Sequence, residues 1–118
     1  MYREIKIGEK VVPMLSNGAT PIRYRQLFHK DLLNSFTSDG NKVTLVAEDV
    51  PELAYILAMS AEKKDMSTLN MESYIEWLEQ FEAMDILMSS EQIYAVYFGN
   101  MITTSEPKKK DNVKPSDN

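Results

Sequence analysis

With 118 residues, 43% of them hydrophobic and 26% charged, the chain has the makeup of an ordinary globular protein and the length for one hydrophobic core, which excludes fibrous and disordered classes. Its net charge of −5 opposes non-specific attachment to phosphate backbones, and the absence of cysteine excludes a disulfide framework or a thiolate zinc site. No run approaches the roughly 18 apolar residues of a membrane span, and the start Met1-Tyr2-Arg3-Glu4-Ile5-Lys6 lacks the apolar stretch of a secretory signal, so a cytoplasmic location is expected.

Taken in chain order, the pattern is that of an α+β, mainly helical fold. Tyr2, Glu4 and Lys6 alternate with Arg3, Ile5 and Ile7; Gly8-Glu9 and a second extended run, Lys10 to Leu15, follow. This predicts a β-hairpin over about 2–15, with Pro13 confining its strand to an edge because it lacks a backbone donor. Ser16-Asn17-Gly18 is turn chemistry, and Thr20-Pro21 reads as a cap followed by proline in the first helical position. A helix is then predicted over about 21–36, its core stripe formed by Tyr24, Leu27, Phe28 and Leu32. Ser38-Asp39-Gly40-Asn41 is a turn cluster that ends it, and Lys42 to Ala47 has strand propensity but reads equally well as a loop.

Asp49 before Val50-Pro51-Glu52 repeats the signature of a cap and helix start, for a helix over about 50–63. Leu53, Ala54, Ile56, Leu57, Ala58 and Ala61 leave that helix little polar surface, which implies a central position contacted on several sides. Asn70 is the expected cap of a third helix, about 70–84, carrying Met71, Tyr74, Ile75, Trp77, Leu78 and Phe81. A fourth, about 86–103, carries Ile93, Val96, Tyr97 and Met101 and is weakened by Gly99. Residues 1–103 thus form one folded domain. Residues 104–118 hold four lysines against three acids, a net +1 that leaves −6 on the rest, and are too polar for a core; a disordered tail is expected.

The residues offer no catalytic constellation. The one histidine, His29, falls on the polar side of the first helix beside Lys30 and Arg25, where solvation explains it better than general-base work. Glu72, Glu76 and Glu79 align at helical spacing as a wet face, whereas paired catalytic carboxylates normally come from separate elements across a cleft. Asp39-Gly40-Asn41 lacks the glycine and glutamate spacing of a calcium loop, and four glycines form no phosphate cradle. No metal, cofactor or enzymatic activity is therefore expected. Arg23, Arg25, His29 and Lys30 make a basic stripe suited to phosphate contact, as in a nucleic-acid-binding regulator, or simply a solvated face offsetting the acidic remainder. Eight methionines suit a surface that accepts varied apolar partners, though methionine is also ordinary core filler.

Three segments together resemble the tail assembly chaperones of long-tailed (siphovirus-type) phages and prophages of Gram-positive bacteria. The first is Ala19-Thr20-Pro21-Ile22-Arg23-Tyr24-Arg25-Gln26-Leu27-Phe28 with Asp31-Leu32, similar to the family's A-T-P, Y-R, F-G, D pattern, with His29 in place of the usual glycine. The second is the run from Ala54 and Tyr55 through Ala58 to Ala61, and the third is Glu76-Trp77-Leu78-Glu79-Gln80-Phe81. The motif positions carried over are Thr20, Pro21, Tyr24, Arg25, Phe28, Asp31, Ala54, Tyr55, Ala58, Trp77, Leu78 and Phe81, all packing rather than catalytic residues.

The resemblance implies a non-enzymatic protein that coats the tape measure protein, a long helical client with apolar stripes, until tube subunits displace it. Many weak copies would suit that task, and a homo-oligomer fits it as well. It also implies a longer product made by ribosomal frameshifting, through which the tail tube protein would be engaged. Lys108-Lys109-Lys110 stands where a slippery adenine run would be encoded, or is a solvated basic tail with ordinary codons. Sequencing the gene discriminates: the frameshift reading expects an uninterrupted adenine run across these codons, and interrupted lysine codons remove it.

Overall fold

The computed structural model describes residues 1–32 and 49–99, together with the backbone of 36–39 and 42–45. The proposed tail at 104–118, the end of the last predicted helix beyond residue 99, and Ala47 lie outside the described residues.

Period-two patterning builds the first element as expected. Strands β1 (Tyr2–Ile7) and β2 (Lys10–Leu15) pair antiparallel with Ile5 opposite Val12, so Ile5, Ile7, Val12 and Met14 share one buried face. Gly8 turns the hairpin at φ 61, a conformation suited to the first turn position of a type II′ connection. A side chain there would also press on the Asp85 carboxylate, which would have to shift. Pro13 lies opposite Glu4 in a sheet of only two strands, where every strand is an edge.

Helix α1 covers Thr20–Phe28 and buries Thr20, Tyr24 and Phe28, one residue per turn along a narrow stripe. Thr20 does not cap it. Its hydroxyl instead accepts the Asn17 N–H at 2.9 Å and fastens the preceding turn, while Pro21 occupies the first turn of the helix. The helix also stops well short of residue 36. His29 adopts the left-handed conformation (φ 59, ψ 32), and its N–H closes on the Arg25 carbonyl at 2.8 Å, ending the helix in the manner usually served by glycine. Leu32 is still fully buried, but beyond the helix. Phe36 belongs to strand β3 (Phe36–Asp39), which pairs antiparallel with β4 (Lys42–Leu45) in the register Asp39 opposite Lys42. The Lys42 stretch is therefore a strand, and Ser38 and Asp39 are strand rather than turn residues.

Helix α2 spans Val50–Ala61 and buries Val50 and every position from Leu53 to Ser60. It packs on β2, α1 and the three helices that follow, which is the central position its composition implies. Glu62 caps it and Lys63 turns away at φ 60, so it ends two residues before 63. A short 3-10 turn at Met66–Thr68 leads to α3 (Met71–Leu78). Asn70 caps α3 as expected, in a reciprocal box: its side chain accepts the Ser73 N–H at 2.8 Å, and its own N–H reaches the Ser73 hydroxyl at 3.0 Å.

α3 ends at Leu78, not 84, because the next backbone N–H groups close three residues back, Gln80 on Trp77 and Phe81 on Leu78. The single helix expected over 86–103 is two helices, α4 (Asp85–Met88) and α5 (Ser90–Phe98). The break falls at Ser89, whose hydroxyl stands 3.2 Å from both the Lys6 carbonyl of the hairpin and the Asp85 carbonyl, either of which can accept its proton. Ser16 makes the matching tie at the far end of β2, its hydroxyl donating to the Val96 carbonyl at 2.6 Å. No helix among the described residues is long and apolar enough to cross a membrane.

The left-handed His29 carries a conformational cost that glycine avoids. His29→Gly is expected to stabilise the fold by about 1 kcal/mol, read as a higher urea midpoint at unchanged slope; a lower midpoint overturns this account of the helix end.

Candidate functional site

Rings from the three segments quoted for the family resemblance, far apart in sequence, form a continuous line through Tyr74, a residue outside all three. Tyr24 touches Phe28 with ring centroids 5.3 Å apart, and Phe28 meets Tyr74 edge-on at 5.0 Å. Tyr74 stands 5.3 Å from Tyr55, Tyr55 is 5.6 Å from Trp77, and Trp77 meets Phe81 edge-on at 5.0 Å. Edge and tilted contacts of this kind add about 0.5–1.5 kcal/mol each beyond simple burial. Ala54 and Ala58 are both fully buried in the core around α2. Thr20 is fully buried, Pro21 and Leu78 are half-buried, and Arg25 and Asp31 are exposed, away from the rings.

One end of the line is held by charge. The Tyr24 hydroxyl donates to Glu52 at 2.8 Å, and the Lys30 ammonium reaches Glu52 at 2.9 Å and Asp49 at 2.5 Å. Asp49 thus stands at the start of α2 without capping it; its carboxylate faces α1 instead. Burial alone would lower the Lys30 pKa, but the hydrogen bonds from Asp49 and Glu52 outweigh it and hold the ammonium above its ordinary range. The basic stripe read from the sequence is therefore divided: Lys30 is committed to two carboxylates, Arg23 is half-buried, and only Arg25 and His29 are exposed without a described ion pair. The middle of the line holds polar contacts too, with the Tyr55 and Ser73 hydroxyls 2.6 Å apart beside the cap of α3.

The other end opens to solvent. Past the Trp77–Phe81 contact lies a groove of about 480 Å³ between the ends of α2, α3 and α4, lined by Pro51, Leu78, Phe81, Ala83, Ile86 and Leu87, with Glu82 the one charged side chain. Exposed apolar residues continue from it: Met71 and Ile75 lie on α3, one turn apart, and Met84 and Met88 flank α4, Met88 being 80% exposed. The structure sorts the methionines that the sequence left open. Met14 and Met59 are core, Met66 is half-buried, and Met1, Met71, Met84 and Met88 are at the surface; Met101 lies outside the described residues. The groove itself was missed in the sequence reading, since it exists only because α3 ends early and turns Phe81 back; the clustering of Met84, Leu87 and Met88 was the available signal.

Glu72, Glu76 and Glu79 are exposed, as is His29. Among the described residues no group of three or more His, Cys, Asp or Glu is placed to hold a metal ion. The chain matches no protein-family model, no curated protein and no solved structure.

The ring line has a titratable member. Burial first, and the Glu52 carboxylate second, push the Tyr74 phenol up to about 12 from 10.0. The folded state then holds a proton that the unfolded chain releases, so this contribution is intact below pH 10 and lost as pH rises from 10 towards 12. Between those limits Tyr74→Phe should lose less stability than the unaltered protein by on the order of 1–2 kcal/mol; parallel alkaline profiles from urea titrations at stepped pH would refute the assignment.

Proposed function

We propose that this chain holds another protein and catalyses no reaction, acting as a tail assembly chaperone that keeps a phage tape measure protein soluble during tail morphogenesis. The observation that carries the reading is the open apolar groove at Phe81, set on a rigid aromatic line and extended by Met71, Ile75, Met84 and Met88. Exposed apolar residues scattered singly need no explanation, whereas a groove with apolar continuations on two helices matches the helix-in-groove mode of recognition.

The division of labour is physical. α2 and the ring line fix the groove's walls, because side chains packed on several sides cannot rearrange cheaply. The methionines at its edges are flexible and polarizable, so they conform to apolar anchors of varied shape. A long client with repeated apolar ridges would be covered by successive copies, each bound weakly enough for tube subunits to displace it. The resemblance to the chaperone family suggests the identity of the client, and the open apolar groove supports a holding role.

Co-expression of the full chain with the tape measure protein of the same phage should raise the client's soluble fraction several-fold, about three to ten, and the two should co-purify. An unchanged soluble fraction, with the chain itself well expressed, defeats the proposal.

A further inference from the structure

Charge is partitioned along this chain in a way that bears on the groove. Residues 1–64 carry nine basic and eight acidic side chains, close to balance. From Asp65 to Gly99 there are seven acidic side chains and no lysine, arginine or histidine. Apart from Pro51, every residue lining the groove belongs to this second stretch, and Glu82 is part of the lining itself.

Two of these acids lie by the groove, Glu82 in its lining and Glu79 next to Leu78 in the chain. At 100° per residue, Met71 and Ile75 lie on α3 between its buried side, marked by Tyr74, and the exposed row of Glu72, Glu76 and Glu79. The exposed apolar strip therefore runs directly beside a strip of carboxylates. Among the described residues that line the groove there is no cation; Lys10 lines the adjoining cleft that shares Phe81 and Glu82, where Glu9 and Asp85 accompany it. An occupant whose flanks are acidic would be repelled from such a margin; one whose flanks are basic would be drawn in and oriented.

We propose that this groove receives a basic amphipathic helix, its apolar stripe seated on Leu78, Phe81 and Leu87 and its lysines or arginines lying over Glu79 and Glu82. The inference deepens the holding role above by stating the chemistry of the segment held. Apolar contact provides the affinity, and the carboxylate row sets which helices are accepted and which way they lie. Alternatives to a partner helix, such as a second copy of the chain, are separate outcomes of the test.

The test uses the purified full chain and three fluorescently labelled peptides of about 20 residues, long enough for helix formation. The first has leucines at i, i+3, i+4 and i+7 with lysines elsewhere; the second replaces lysine by glutamate; the third scrambles the first. Fluorescence anisotropy should show the basic amphipathic peptide binding at least about tenfold more tightly than either other peptide at low ionic strength, with the margin narrowing as salt is added. The variant I75S/M88S, altered only at exposed positions, should weaken that binding by about fivefold or more with an unchanged circular dichroism spectrum. E79Q/E82Q should weaken the basic peptide alone and flatten its salt dependence; this variant decides the matter should I75S/M88S fail to fold.

Equal binding of the acidic or scrambled peptide, or indifference to both variants, overturns the proposal. So does a sedimenting dimer that I75S/M88S converts to monomer, since a second copy would then occupy the face. A client kept soluble in cells while peptide charge proves irrelevant would leave the holding role standing and remove this inference. Tight, charge-selective peptide binding with an insoluble client would do the reverse.

Discussion

Burial of α2 is the constraint from which the rest of the structure follows. From Leu53 to Ser60 no side chain of this helix reaches solvent appreciably, so every face must be covered by something else. Fully burying a Leu or Ile is worth roughly 1.5–3 kcal/mol, and Leu53, Ile56 and Leu57 all reach that limit. The hairpin covers one side with Ile5, Ile7, Val12 and Met14; α1 covers another with Tyr24 and Phe28; α3 brings Tyr74 and Trp77, and α4 and α5 bring Ile86, Ile93 and Val96. Each surrounding element is short, and a helix of eight or nine residues is marginal by itself in water. They persist because α2 gives each of them an apolar surface to lie on.

Two of the polar side chains inside tie the hairpin to the helices around α2, whereas the buried Ser60 hydroxyl on α2 has no such bond. Ser16 and Ser89 are buried; the Ser16 hydroxyl donates to the Val96 carbonyl across the hairpin–α5 boundary, and the Ser89 hydroxyl lies within reach of the Lys6 carbonyl across the hairpin–α4 boundary. Leaving such a hydroxyl unpaired would cost about 1–3 kcal/mol, so these bonds fix register as well as position. Asp49 is the charged counterpart, 5% exposed and tolerable only because Lys30 stands against it. Lys30 is itself partly exposed, and solvent screens the pair on that side. It joins the end of α1 to the start of α2, where the ring line begins.

How much of this could be read from the residues follows from the range over which each signal acts. The hairpin was legible because period-two alternation and Gly8 act within a few residues of each other, and the start of α3 because Asn70 and Ser73 satisfy each other locally. The end of α1 was not. Phe28, Leu32 and Phe36 keep a four-residue spacing that looks like a continuing helix, and the stop is made by a histidine in a conformation normally left to glycine. The split between α4 and α5 was hidden in the same way, since Ile86 and Ile93 are seven apart and stay in helical phase across the break at Ser89. The packing residues of the three motif segments were legible as apolar positions, but their joining into one line of rings was not, because no local pattern encodes contact between separate helices.

The groove belongs to the same class of non-local feature, and its form follows from the shortness of the elements around it. Had α3 continued through residue 84, Phe81 would stand one turn further along a straight helix; the early end lets the chain fold back so that Phe81 both meets Trp77 and walls the groove with Leu78 and Leu87. The rigid side of the site is then inherited from the core, while its rim is built from unbranched methionines and carboxylates that the core does not need. Replacing a rim residue should leave α2 and its coverings untouched, whereas replacing Trp77 or Phe81 would disturb both. Under the proposed holding role, recognition and folding would share Phe81 and Leu78 but separate at Ile75, Glu79 and Met88, three exposed positions where partner preference could change without loss of the fold.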